Sequence, residues 1–405
     1  MDGASIIEQL MTTEGRFDPY PLYTRAHELG AAVPAGPGAV LVVGHAAANQ
    51  VLRNPAFALE DSKTLAADAA ELLGRPSVEL FSRSILQRNA PDHARVRSLI
   101  ASAFNARRVA ALRPAVESTV SRLLDELAAR GADGSPVDFM DAFAFPLPVE
   151  VICELLGVPA ADRHRFRGLA SDLTIALELI QDLTELDAAD AAALELSAYF
   201  AELVAERLAR PTGDLVSDLA RIAADSPDRI SGEELLSNLV LLLVAGFETT
   251  TNLLGNGLAQ LFRHPGAAEG LRTGALDPSL FTDEVLRHDS PVQVTSRIST
   301  GPDLTVAGLP APTGTVVFVM LGAANHDPAR YRRPDLFDPT RTDSQPLSFG
   351  GGAHFCLGSQ LARLEADIAA PALLDRFPRL APGGVPTRRD RLVLRGYETL
   401  PITVR

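Results

Sequence analysis

Residues Ser348–Arg363 read SFGGGAHFCLGSQLAR. The chain has two cysteines in 405 residues, and one of them, Cys356, stands here among glycines, a histidine and two phenylalanines. The pattern that follows, Ser359–Asp367, is helical, so Cys356 lies at or just before a helix N-terminus. Backbone N–H groups and the macrodipole there favour a thiolate. The glycines let the backbone take φ > 0 or come close to something large and flat. Three readings stand side by side: a buried structural thiol, a nucleophile with His354 as its base, and a metal ligand.

The rest of the chain narrows these. Zinc fits poorly, because Cys153 sits far off in a helical stretch and no Cys-x-x-Cys pair exists. A nucleophile lacks any obvious group to orient His354. Haem iron needs one protein ligand, and cysteine thiolate is one of its known choices. A formal net charge of −14 argues against a nucleic-acid partner. Two cysteines build no disulfide framework, so the expected compartment is the reducing cytoplasm. The N-terminus MDGASIIEQL lacks the basic and apolar regions of a signal peptide. The run Leu239–Phe247 is far short of the roughly 20 residues of a membrane span.

Periodicity makes the chain mostly α-helical with small sheets. Apolar residues recur at helical spacing over Val109–Arg130. Further helices are predicted over Pro148–Leu156, ending at Gly157-Val158-Pro159, and over Ala161–Leu177 and Asp190–Arg210. The longest begins at Ser231-Gly232-Glu233-Glu234, a capping box, and runs to about Arg263 before His264-Pro265. Apolar on nearly all sides, it should cross the middle of a domain. The clearest strands are Ala39–Val43 and Thr315–Met320, with Leu392–Leu394 and Ile402–Val404 as a candidate pair. No composition shift marks a boundary, so residues 1–405 read as one domain.

The run Phe349-Gly350-x-Gly352-x-His354-x-Cys356-x-Gly358 resembles the haem-binding loop of the cytochrome P-450 family at every fixed position. Other motifs follow in the family's order and cover almost the whole chain. Ala245-Gly246-Phe247-Glu248-Thr249-Thr250 interrupts the apolar central helix with a carboxylate and threonines. On physics alone, a threonine run can simply bond back to the preceding turn. The resemblance instead places the Glu248–Thr249 acid–alcohol pair over the haem as proton handlers, with Ala245 beside it. Glu284-Val285-Leu286-Arg287 puts two charges on one helix face. With Arg341 of Phe337-Asp338-Pro339-Thr340-Arg341, the resemblance makes them a buried triad that holds the haem loop. Pro91-Asp92-His93-Ala94-Arg95-Val96-Arg97 carries His93 and Arg97 at i and i+4, assigned with Arg297 and His354 to the haem propionates. Asp18-Pro19-Tyr20 and Asn325-His326-Asp327-Pro328 complete the set.

The resemblance implies the cytochrome P-450 fold, with haem between the long central helix and the Cys-loop helix. It implies haem b on Cys356, which is then the metal ligand, with Phe349, Gly350 and Gly358 around it. It implies a soluble bacterial monooxygenase using O2 and two electrons from NAD(P)H through ferredoxin and ferredoxin reductase. Docking an acidic ferredoxin would use Arg107, Arg108, Arg330, Arg332, Arg333 and Arg363. The expected pocket draws on the loop Ala58–Gln87, on Ser171–Ile180, and on Leu241, Val244, Val292, Gln293, Val294, Thr295 and Leu394. Its apolar character points to an apolar small molecule; the resemblance makes that a polyketide or peptide natural product, hydroxylated or epoxidised, with a carrier protein as a further expected partner. Desaturation, cyclisation or oxidative coupling at the same haem is an alternative, as is a silent haem-thiolate recruitment module. The chain is expected to act as a monomer.

Overall fold

The computed structural model describes residues 2–59, 70–102, 104–180 and 182–404. Its organising element is the central helix Gly232–Arg263. Ser231 and Glu234 cap its start reciprocally: the Ser231 hydroxyl accepts from the Glu234 N–H (3.1 Å), and the Glu234 carboxylate accepts from the Ser231 N–H (3.0 Å). Two large apolar cores meet along it. Leu235–Phe247 packs with Val149, Ile152, Phe200 and Leu219, and Leu253–Leu261 packs with Leu123, Phe143, Phe281 and Leu373. Gly246 allows a close crossing with the helix Pro146–Leu156, because a Cβ there would lie 2.6 Å from Ile152. This helix is long and apolar enough to cross a membrane, but it is buried inside the protein.

The other helices follow their patterns with one exception. Ala106–Arg130 is capped by the Asn105 side chain and buries Val109, Val116, Val120, Leu123 and Leu127. Pro146–Leu156 stops on Gly157 at φ 79°, a left-handed cap. Asp187–Ala209 covers the predicted 190–210 span. The predicted helix Ala161–Leu177 is broken: tight 3-10 turns at Ala160–Arg165 and Thr174–Leu177 flank an α-helical piece, Phe166–Leu173. The Ser171 carbonyl accepts from the Thr174 hydroxyl (2.9 Å) and from Arg391 (2.8 Å), which draws it out of the helical ladder.

The sheets are small. In the largest the strands run in the order Ala32–Pro34, Ala39–Val42, Val316–Val319, Thr295–Ser299, Phe57–Ala58. Val316–Val319 pairs parallel to Ala39–Val42 and antiparallel to Thr295–Ser299. The candidate pairing of Leu392–Leu394 with Ile402–Val404 is not made. Pro401–Thr403 pairs with Val137–Asp138 and Ala381–Pro382. The N–H groups of Leu392, Val393 and Leu394 all go to one carboxylate, Glu178, so a side chain takes the place of a strand.

Asp289 ties the segments 16–20 and 388–395 together. It accepts from the Tyr20 hydroxyl (3.0 Å), Arg388 (2.9 Å) and Arg395 (2.9 Å). Arg395 also donates to the carbonyls of Arg16 and Phe17. Burial works against the charge on Asp289, but the two arginines hold its carboxyl well below the usual range.

Candidate active site

The Cys356 loop is fixed at its root. Asn325 accepts from the Leu347 N–H (2.7 Å) and donates to Ser348 Oγ (2.9 Å), and Ser348 Oγ donates to the Leu286 carbonyl (2.6 Å). The Cys356 N–H returns to the Phe349 carbonyl at 3.0 Å and closes the loop. Gly350 and Gly352 hold φ of 69° and 66°. At Gly352 a Cβ would also stand 2.3 Å from the Leu52 carbonyl oxygen, whereas at Gly350 it meets nothing nearer than 3.9 Å. Gly350→Ala is therefore expected to cost about 1–2 kcal/mol, the left-handed penalty alone. Gly352→Ala should cost distinctly more, because the clash adds to that penalty. Urea midpoints of the two variants compare them directly.

Cys356 is an exposed residue at the base of the buried helix Ser359–Arg376. The next residue, Leu357, packs on the core that contains Val244 and Phe247 of the central helix. The Gly358 N–H, the Arg97 guanidinium and the Ser359 N–H all favour the charged form of the Cys356 sulfur. Cys153, by contrast, is fully buried, and burial raises its thiol to about 12.

Four donor side chains gather nearby. The His93 and His354 rings lie 4.0 Å apart between centroids, and Arg97 donates to the Phe355 carbonyl. Arg297 is 5 % exposed, with only Thr295 Oγ1 (3.2 Å) and the Ser296 carbonyl (2.7 Å) as acceptors among the described residues. Burial lowers Arg297 to about 10. Burial and then Arg97 lower His93 to about 4, while burial, His93, Arg297 and Arg97 lower His354 to about 3. His93 Nε2 is buried with no partner. No carboxylate pairs with these four among the described residues. Buried guanidinium and imidazole groups without an acid call for an anionic guest. A porphyrin carrying propionates beside a cysteine sulfur meets that need, so the residues present fit haem.

Glu284, Arg287 and Arg341 meet as a buried cluster. Arg287 binds Glu284 through two bonds of 2.8 Å, with exposures of 0 % and 1 %. Arg341 reaches Glu284 at 3.4 Å. Arg287 also donates to the carbonyls of Asn325, Pro334 and Leu336. Asn325 is the residue that grips the root of the Cys356 loop.

On the central helix, Ala245 is exposed and Thr249 half-buried, while their neighbours Val244, Phe247 and Glu248 are buried. An open turn in a buried helix is where a ligand can lie against its backbone. Thr249 Oγ1 donates to the Ala245 carbonyl (3.1 Å). Glu248 departs from the expected picture. It is 2 % exposed and ion-paired with Arg389, whose side chain is 10 % exposed, so it is no free acid beside Thr249. Arg389 escaped the sequence reading because 141 positions separate the partners. The only hint was the cluster Arg388-Arg389-Asp390-Arg391 ahead of an apolar stretch.

Several expected pocket residues are core. Gln293 accepts from the Tyr23 hydroxyl (2.9 Å) and donates to the Ser290 carbonyl (2.7 Å), at 1 % exposure, so it is a satisfied structural amide. Val294 packs against Ile6, Tyr23 and Met320 instead of a pocket. Thr295 is half-buried and accepts from Arg297. Val292 bridges Leu394, and Leu241 and Val244 are buried on the central helix. Within the expected loop Ala58–Gln87, residues 60–69 lie outside the described residues. Of the docking arginines, Arg363 is engaged by Asp283 and stacks on Phe349 at 5.1 Å, so it is not a free surface cation. Arg108 and Arg330 reach Asp218 and Asp343 at 3.5 Å, and Arg107, Arg332 and Arg333 are exposed.

The family model for Cytochrome P450 matches residues 280–398. A Putative cytochrome P450 133B2 from Xylella fastidiosa is 36 % identical over 95 % of this chain and 95 % of its own length. The chain is a cytochrome P450. The 6-deoxyerythronolide B hydroxylase of Saccharopolyspora erythraea is likewise 36 % identical, over 95 % of this chain and 96 % of its own. Among solved structures, P450BioI in complex with a hexadec-9Z-enoic acid ligated acyl carrier protein superposes with a TM-score of 0.89 and 32 % identity. That match covers 97 % of this chain and 100 % of the other. The P450 fold and a haem iron cofactor follow from this membership, as does monooxygenase activity.

Proposed function

We propose that this P450 inserts an oxygen atom from O2 into an apolar natural product of polyketide or peptide type, hydroxylating or epoxidising it in the cytoplasm. Electrons would come from NAD(P)H through ferredoxin reductase and an acidic ferredoxin docked on Arg107, Arg332 and Arg333. The observation that carries the substrate class is the open turn Ala245–Thr249 in an otherwise buried, apolar stretch of the central helix. The 6-deoxyerythronolide B hydroxylase and the Polyketide biosynthesis cytochrome P450 PksS among its relatives support the same class. The neighbour bound to an acyl carrier protein supports a substrate presented on a carrier.

In this reading Cys356 ligates the iron, and His93, Arg97, Arg297 and His354 hold the propionates. Phe349, Gly350 and Gly358 shape the loop, and Glu284, Arg287 and Arg341 brace it. Bound haem supplies the oxidising chemistry. The chain's own residues bind and orient the substrate, exclude stray water and move protons. Thr249 Oγ1 gives up its bond to the Ala245 carbonyl to donate, and Glu248 resupplies the proton once its carboxylate parts from Arg389 and is itself protonated.

The test is a binding screen against the holoprotein, read as a shift of the haem absorption. Free macrolactones, cyclic peptides and the same acyl groups on a carrier protein are the arms. Saturable binding by none of the three defeats the substrate class. Thr249→Ala should leave binding unchanged while product per electron falls by about tenfold or more. Unchanged product yield would remove Thr249 from the proton path.

A further inference from the structure

Two cations bracket the Cys356 loop. On one side Arg97 donates to the Phe355 carbonyl. On the other, the Arg363 guanidinium stands over the Phe349 ring, 5.1 Å from its centre. Phe349 is the residue whose carbonyl accepts from the Cys356 N–H (3.0 Å). Its ring meets that of Phe355 edge-on, with 6.4 Å between centroids. The two cations differ in one respect. Arg97 has no carboxylate partner among the described residues, whereas Arg363 is ion-paired with Asp283. Asp283 stands on the helix Pro278–His288, one position before Glu284. A second acid, Asp367, lies one turn further along the Cys356 helix. It accepts from the Thr282 hydroxyl (2.6 Å) and also favours the Arg363 charge, which burial opposes. The Arg363 and Asp283 side chains are 32 % and 26 % exposed, so water screens the pair only in part. The helix Pro278–His288 thus brings two carboxylates to the loop. Glu284 braces it, and Asp283 offsets a cation that stands on its Phe349 side.

We propose that Arg363 and Asp283 are a charge pair that sets the reduction potential of the iron, Arg363 raising it and Asp283 holding it down. Reduction from ferric to ferrous adds one electron at the iron that Cys356 holds. A fixed positive charge beside the loop favours the reduced state, and a fixed negative charge opposes it. Arg363 keeps its charge at any working pH, so its contribution is constant. Together the two charges nearly cancel, and the potential lies below the one a lone Arg363 would give. The pair bears on electron uptake and leaves substrate binding to the other face of the site.

The inference rests on Cys356 as the iron ligand, and its test separates the two claims. Midpoint potentials of the substrate-free holoprotein are measured by spectroelectrochemical titration. The spectrum of the reduced carbon monoxide complex is recorded for each protein. Arg363→Met should shift the ratio of ferrous to ferric at a fixed poise at least about threefold toward ferric, which is roughly 30 mV at 59 mV per tenfold. Asp283→Asn should shift it by a similar factor toward ferrous. The double variant Asp283→Asn/Arg363→Met should lie near wild type, because opposite charges leave together. Arg363→Lys keeps the charge and loses the flat stack on Phe349, and should stay within about twofold of wild type. A pair that only holds the loop in shape would move both single variants in the same direction, since either change opens the same contact. Shifts of the same sign, or an unmoved potential in Asp283→Asn, overturn the proposal. A wild-type protein without the thiolate-type spectrum overturns the ligand reading instead, whatever the potentials.

Discussion

Cys356→Ala is expected to lose the thiolate-type spectrum of the reduced carbon monoxide complex altogether and to cut monooxygenase turnover by about a thousandfold or more. The apoprotein should keep its fold. The residue is exposed, and among the described residues its sulfur meets the Gly358 and Ser359 N–H groups and lies in the field of Arg97. Removing it opens no core cavity. Cys153→Ala should do the reverse. That side chain is at 0 % exposure, packed with Leu156 and Leu239, so its loss should cost about 1–2 kcal/mol and leave the spectrum intact. The pair of variants separates a ligand from a buried thiol in one experiment. A thiolate spectrum persisting in Cys356→Ala would refute the assignment of the iron ligand.

Arg287→Ala carries the largest expected effect on folding. It strands the Glu284 carboxylate at 1 % exposure, with the weaker 3.4 Å bond from Arg341 and the Asp338 N–H left to it. It also leaves the carbonyls of Asn325 and Pro334 without this donor, and that of Leu336 with the 3.3 Å bond from Arg341. Breaking a buried pair in this way costs about 3–5 kcal/mol. Against a usual total of about 5–15 kcal/mol, that is a large share of the fold. Arg287→Lys should rescue little, because one ammonium cannot span two carboxylate oxygens and three carbonyls in plane. The measurements are the urea midpoint of the apoprotein and haem content after expression. A wild-type midpoint in Arg287→Ala would show that the cluster is dispensable.

The parts of the fold legible in sequence were those written locally. The Ser231–Glu234 cap, the stop at Gly157 and the stripe Val109–Leu127 each depend on residues within a few turns. The Cys356 loop was legible because its glycines, histidine and cysteine lie within ten positions of one another. What escaped was decided by distant partners. Arg391 draws off the Ser171 carbonyl and breaks a helix that periodicity ran to Leu177. Glu178 takes three N–H groups that looked ready for a strand. Gln293 seemed a polar handle for substrate, yet Tyr23, 270 positions away, claims its oxygen. The pairing of Arg363 with Asp283 and of Glu248 with Arg389 was equally out of reach, since a charge shows its sign in sequence but not its partner.

The Asp289 knot bears on how the protein can be engineered. Tyr20, Arg388 and Arg395 converge on one carboxylate, and Arg395 also clamps the carbonyls of Arg16 and Phe17. The segments 16–20 and 388–395 are thus neighbours in space, fastened by the same ion. Trimming residues before position 21 or after position 387 would cut the same fastening from opposite sides, so any shortened form of this P450 has to keep both segments.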